Sequence, residues 1–166
     1  MYSIDDFIRQ FRKETAICIR LFRNMPPGGL DYRPSPGQRS TLQLMRYLSF
    51  GPGNGTRKIL ANDWKAGKPT AELSKDVPPS DFPRNMLRQA EEVECLIRIA
   101  DPVAIRNVNH VLPWGEVTKQ AEALVNYPLN WLMSYRMQFF LYLKAAGAYT
   151  LATPDLWHIK ADNEAE

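Results

Sequence analysis

The chain has 166 residues, 45% of them hydrophobic and 23% charged, with two cysteines and two histidines. This length and balance fit one domain with one core and exclude a wholly disordered, collagen-like or coiled-coil chain. Two cysteines cannot build a disulfide framework or a zinc ribbon, and His110 and His158 leave too few imidazoles for a histidine-built metal site.

The formal net charge of +3 is spread along the sequence, so no nucleic-acid partner is expected. No window approaches about 18 uncharged apolar residues, and Asp5, Asp6, Arg9 and Arg12 interrupt the N-terminal stretch. The expectation is a cytoplasmic protein with reduced thiols and no membrane partner.

From Ile4 the residues Phe7, Ile8, Phe11, Thr15, Cys18, Ile19 and Phe22 recur at helical spacing, which predicts a first helix over residues 4–25. Ser3 with Asp6 three residues on reads as its capping box, and Pro26, Pro27, Gly28 and Gly29 stop it. Residues 30–37, with Pro34, Pro36 and Gly37, read as an ordered loop in which Arg33 is expected to meet a helix C-terminus or Asp31. A second helix is predicted from Ser40 or Thr41, carrying Leu42, Met45, Leu48 and Phe50. The run Gly51-Pro52-Gly53-Asn54-Gly55 predicts a flexible break, followed by a short helix over 56–64. It lacks the lysine ending of a phosphate-binding loop and follows no strand.

Residues 66–80 read as a polar loop. Ser80 is expected to cap a third helix running to about Ala100, with Met86, Ala90, Val93, Ile97 and Ala100 facing inward. Residues 103–112 read as an extended arm or a poor edge strand, closed by Pro113, Trp114 and Gly115. A final helix is predicted from Thr118 to Ala146, with Gly147 as its C-cap and a kink near Asn126 and Tyr127 imposed by Pro128. Phe139, Phe140 and Tyr142 crowd its end, so some are expected at the surface or against a second copy, which leaves a monomer and a symmetric homodimer as equal alternatives. The tail from Tyr149 to Lys160 reads as a strap docked by Leu151, Leu156 and Trp157, and residues 161–166 as a disordered end. The fold class is all-α, one domain over residues 1–160: a four-helix bundle with long crossover loops and a short extended arm.

The stretch from Leu30-Asp31-Tyr32-Arg33-Pro34 through Arg39-Ser40-Thr41 to Met45-Arg46-Tyr47-Leu48 resembles the loop and second helix of the DinB/YfiT-like four-helix proteins. Leu112-Pro113-Trp114-Gly115, followed by a helix ending Ser134-Tyr135-Arg136-Met137-Gln138 through Gly147, resembles that family's turn and last helix. The resemblance implies the bundle fold. It also implies a metal site of three histidines, one from the second helix and two spaced i, i+4 on the last, at positions that here hold Tyr47, Trp131 and Tyr135. Family members of understood activity are metal-dependent thiol transferases, in which the metal holds the incoming thiol as thiolate. An indole N–H is only a donor and a phenol has an ordinary pKa of about 10, so none of the three replaces an imidazole. Neither a metal nor any other cofactor is expected, and no catalytic residue is assigned.

Two readings of the vacated space stay open. Tyr47, Trp131 and Tyr135, with Tyr127 and Gln138 as neighbours, form a pocket for a small apolar or planar ligand, or the rings simply fill the space that close packing requires to be filled. The function expected is that of a DinB-like protein without the family's metal-dependent activity, with a small molecule as the partner if the pocket is open. The alternative is a divergent thiol transferase or hydrolase that uses a metal on non-histidine groups or tyrosine hydroxyls as acid and base. Arg136 and Gln138 are expected to bond to backbone or to the ordered loop. Cys18 is expected in the core and Cys95 at the surface.

Overall fold

Local capping sets the first two helices. In the computed structural model, which describes residues 3–158, the Ser3 hydroxyl accepts from the Asp6 N–H and the Asp6 carboxylate accepts from the Ser3 N–H. Helix α1 follows over Ile4–Phe22 and buries Phe7, Ile8, Phe11, Ile17, Cys18 and Leu21. It ends three residues before residue 25, because Asn24 and Met25 donate to carbonyls three residues back and tighten the chain into a turn. Helix α2, Thr41–Leu48, has the same reciprocal cap between Ser40 and Gln43. Leu44 joins Met45 and Leu48 in the core, while Leu42 is only half-buried. Arg33 meets neither Asp31 nor a helix C-terminus. It donates to the Gln38 carbonyl and to Gln43 Oε1 at 3.0 Å, fastening the loop to the start of α2.

The glycine-rich run is no break. Helix α3 is Gly51–Leu60, and all of Gly51 to Thr56 is buried. Pro52 stands in its first turn, where a missing N–H costs nothing, and the Gly53 N–H donates to Gln89 Oε1 at 2.9 Å. The expected helix over 61–64 is absent, since the chain turns at Asn62 with φ +52°.

The loop after α3 contains a single turn, α4 at Thr70–Leu73, and a 3₁₀ turn at Pro79–Asp81. Ser80 lies inside that turn, so it does not cap the next helix, α5 at Phe82–Ile99. Met86, Ala90, Val93 and Ile97 point inward as expected, with Ala100 half-buried. The first half of the expected arm is helical: Asp101 accepts from the Val103 N–H and starts α6, Pro102–Asn107. The second half is extended. Strand β1, Asn109–Val111, pairs antiparallel with β2, Val117–Lys119, with His110 opposite Thr118, and the Pro113-Trp114-Gly115 turn closes the hairpin.

Thr118 therefore belongs to a strand, and the last helix starts later, as α7 at Gln120–Leu124. Pro128 has the predicted effect: Val125–Leu129 is a π-helical turn, after which α8 runs Asn130–Ala145. Gly147, at φ +119°, ends it.

Around the bundle, α1 packs on α5 and α8, α3 on α5 and the π turn, and α2 on α8. Helix α1 thus packs on α5 and α8 rather than on α2, the helix that follows it, so the chain crosses over between them. Phe139, Phe140 and Tyr142 are all buried, contrary to expectation. Phe139 meets Phe82 at 5.7 Å between centroids, and Tyr142 meets Tyr32 at 5.5 Å. Tyr32 covers Tyr142 from the loop before α2, Arg136 ties α8 to the C-terminal strap at the Leu156 carbonyl, and all three rings are buried within one copy of the chain. Leu151 and Leu156 dock the strap, while Trp157 is largely exposed with its ring 4.9 Å from the Arg136 guanidinium. The tail expected to fray, residues 161–166, lies outside the described residues. Among the described residues no helix is long and apolar enough to cross a membrane.

Candidate functional site

Gly51 and Gly55 lie one turn apart on α3 and so share a face. A Cβ built on Gly51 would fall 2.9 Å from the Tyr47 ring, and one on Gly55 would fall 2.8 Å from Cζ3 of Trp131. The rings at two of the three family positions are thus pressed onto bare helix backbone. Tyr135, the third, packs edge-on against Tyr47, with centroids 5.0 Å apart and planes at 69°. Trp131 meets Trp64 at 6.2 Å and Tyr127 at 6.1 Å. Tyr127 in turn meets Trp114 at 5.2 Å, and Trp64 meets His110 at 5.8 Å.

Tyr47 with Tyr135, and Trp131 with Tyr127, are therefore two aromatic pairs set along the same face of α3, at Gly51 and Gly55, each ring half-buried. Gln138 is turned the other way: its amide donates to the Tyr142 hydroxyl at 2.6 Å rather than to Tyr47 or Tyr135. Arg136 does bond to backbone as expected, donating to the Leu156 carbonyl at 2.6 Å. It also lies 2.7 Å from Glu14 Oε2, a charge contact without an aligned hydrogen bond, and both side chains are buried.

The electrostatics differ between the two pairs. The Arg39 guanidinium sits 4.7 Å from the centroid of Tyr47 and 5.8 Å from that of Tyr135. Burial and the neighbouring Tyr135 phenol push the Tyr47 hydroxyl up to about 12, with Arg39 pulling in the other direction. At the second pair, Glu116 accepts from the Trp114 indole and the Tyr127 hydroxyl, each at 2.9 Å. Those two bonds hold its carboxyl below the ordinary range, and Tyr127 is raised by desolvation and by the carboxylate.

The donor set does not fit a family-type metal. A phenol held protonated, an indole with no lone pair to offer and a second phenol occupy the three positions, and among the described residues no three His, Cys, Asp or Glu side chains gather into a metal-binding group. The thiols lie apart from this chemistry: Cys18 is buried in α1, where desolvation raises it, and Cys95 is exposed on α5. His110 is buried on β1, its Nδ1 2.9 Å from Asn62 Oδ1. Two cavities lie elsewhere, an apolar groove of about 420 Å³ reaching from Ile4 to Val125 and a polar one of about 220 Å³ beside Asn54 and Arg88.

Sequence reasoning missed Arg39, Gly51, Gly55 and Trp64 as parts of this site. Only the glycines carried a signal, because buried glycine in mid-helix usually marks a close approach. No protein-family model matches the sequence, and no curated protein matches it. A structural match is found: the crystal structure of a DinB-like protein, YjoA of Bacillus subtilis, superposes with a TM-score of 0.64 at 11% identity, over 85% of this chain and 91% of that one. The likeness is one of fold, spans most of both chains and agrees with the helix order described above, so this chain has a DinB-like fold.

Proposed function

We propose that this DinB-like chain is a binding protein for a small planar ligand, working without the metal-dependent activity of the family it resembles. The observation that carries the reading is the pair Tyr47 and Tyr135, whose hydroxyls bond to no protein atom among the described residues and are not sealed from water, whereas Tyr127 and Tyr142 both have partners. A half-buried phenol whose hydroxyl reaches water can offer it to a ligand as donor and acceptor. The alternative enzyme reading gains no support from the donor set at Tyr47, Trp131 and Tyr135.

The test is a calorimetric and thermal-shift screen with small planar molecules on the wild type, Tyr47→Phe and Tyr135→Phe. Saturable binding that weakens in both variants, with melting temperatures close to wild type, supports the reading. No ligand-induced shift, together with a loss of about 3–5 kcal/mol in Trp131→Ala, would show that the rings are merely core. Elemental analysis of untagged protein adds an independent check: a stoichiometric transition metal, lost with stability on chelation, would overturn the metal-free reading.

A further inference from the structure

Arg39 gives the Tyr47–Tyr135 ledge a charge preference. It stands in the loop directly before the Ser40 cap, exposed, with its guanidinium carbon over both phenol rings. Stacking uses the flat face of a guanidinium and leaves its N–H edge available for a planar acceptor. Among the described residues no carboxylate pairs with that edge and no backbone carbonyl accepts from it. The neighbouring cations are engaged: Arg33 donates to the Gln38 carbonyl and Gln43, and Arg46 donates to the Val77 carbonyl at 3.0 Å.

The ledge thus combines one cation with a free fork, two O–H donors and aromatic walls. An ionised carboxylate accepts from a guanidinium fork in bidentate fashion and takes further bonds from hydroxyls. A phosphate monoester, with close to two negative charges at neutral pH, calls for a second free cation that the cluster lacks. The rings offer contact to a flat apolar body. We infer that Arg39, Tyr47 and Tyr135 bind a small aromatic monocarboxylate, Arg39 taking the carboxylate and the two hydroxyls orienting it. This rests on the ligand-binding reading above and adds the charge and class of the ligand.

The test compares benzoate with its neutral isostere benzamide by calorimetry, on the wild type, Arg39→Gln and Arg39→Lys. Benzoate is expected to bind about tenfold tighter than benzamide to the wild type, the scale of one charge-assisted hydrogen bond. Arg39→Gln weakens benzoate more than benzamide and erases the difference between them, while Arg39→Lys keeps part of it. Equal binding of the two probes to the wild type, or a benzoate preference that survives Arg39→Gln, overturns the carboxylate assignment and leaves the ligand-binding reading standing. Binding of neither probe overturns both.

Discussion

Trp131 and Gly55 fit one another as ring and depression: the indole edge occupies the place where a methyl group on residue 55 would come within 2.8 Å of it. A rigid ring cannot yield as a flexible chain end could. Gly55→Ala should therefore lose about 1–3 kcal/mol by overpacking, in spite of the better helix propensity of alanine. Adding Trp131→His to Gly55→Ala should recover part of that loss, giving a coupling in a double-mutant cycle. Urea unfolding measures all four proteins, and a neutral Gly55→Ala would contradict the fit.

Tyr47 titrates above free tyrosine. Tyr47 is pushed up to about 12, so in an alkaline absorbance titration Tyr47→Phe should remove a late step. Arg39→Gln takes away the cation that lowers Tyr47 and should move its step later still. Tyr135→Phe takes away a group that raises it and should move the step earlier. An unshifted tyrosine at position 47 would mean that its hydroxyl is fully in water.

The buried contact between Glu14 and Arg136 predicts a pH effect of defined sign. Burial holds the Glu14 carboxyl above its ordinary 4.5, outweighing the pull of Arg136. A carboxyl raised in the folded state supports the native chain below its ordinary value and loses that support as pH climbs through the raised one. Arg136→Met lifts Glu14 further and removes the donor to Leu156. It should cost about 3–5 kcal/mol at neutral pH, and its stability should fall more than that of the wild type as pH rises above the ordinary 4.5. Parallel stability curves would refute the account.

His110 gives the opposite slope. Its burial on β1 depresses the imidazole below 6.5, and Nδ1 donates to Asn62 while Nε2 has no partner. On acidification the unfolded chain takes up the proton first, so stability present above pH 6.5 is lost as pH falls through the lowered folded value. His110→Gln should flatten that part of the curve. Chemical denaturation at a series of pH values decides it.

What could be read in advance follows from how local each cause is. The cap at Ser3, the start of α2 near Ser40, the inward stripe of α5 and the deformation at Pro128 are written within a few residues, and each was legible. The glycine run was misread because its helix cost is local, while its reason, the ring of Trp131, comes from a distant segment. The same holds for Tyr142, which packs against Tyr32 of a loop that no periodicity in the last helix announces. Tyr47, Trp131 and Tyr135 were found through a family resemblance. Arg39 had only its place before a cap and became visible when two rings were set beneath it.

Bare backbone at Gly51 and Gly55 also bears on how readily the site could be converted. An imidazole is smaller than either ring it would replace, so installing histidines at 47, 131 and 135 would leave hollows along α3 where Tyr47 and Trp131 now rest. Refilling those hollows requires larger side chains on the helix, and each of these clashes as long as its aromatic ring is still in place. The path from this arrangement to a three-histidine centre therefore passes through poorly packed intermediates whichever side changes first, and an engineer wanting a metal here would have to change rings and glycines together.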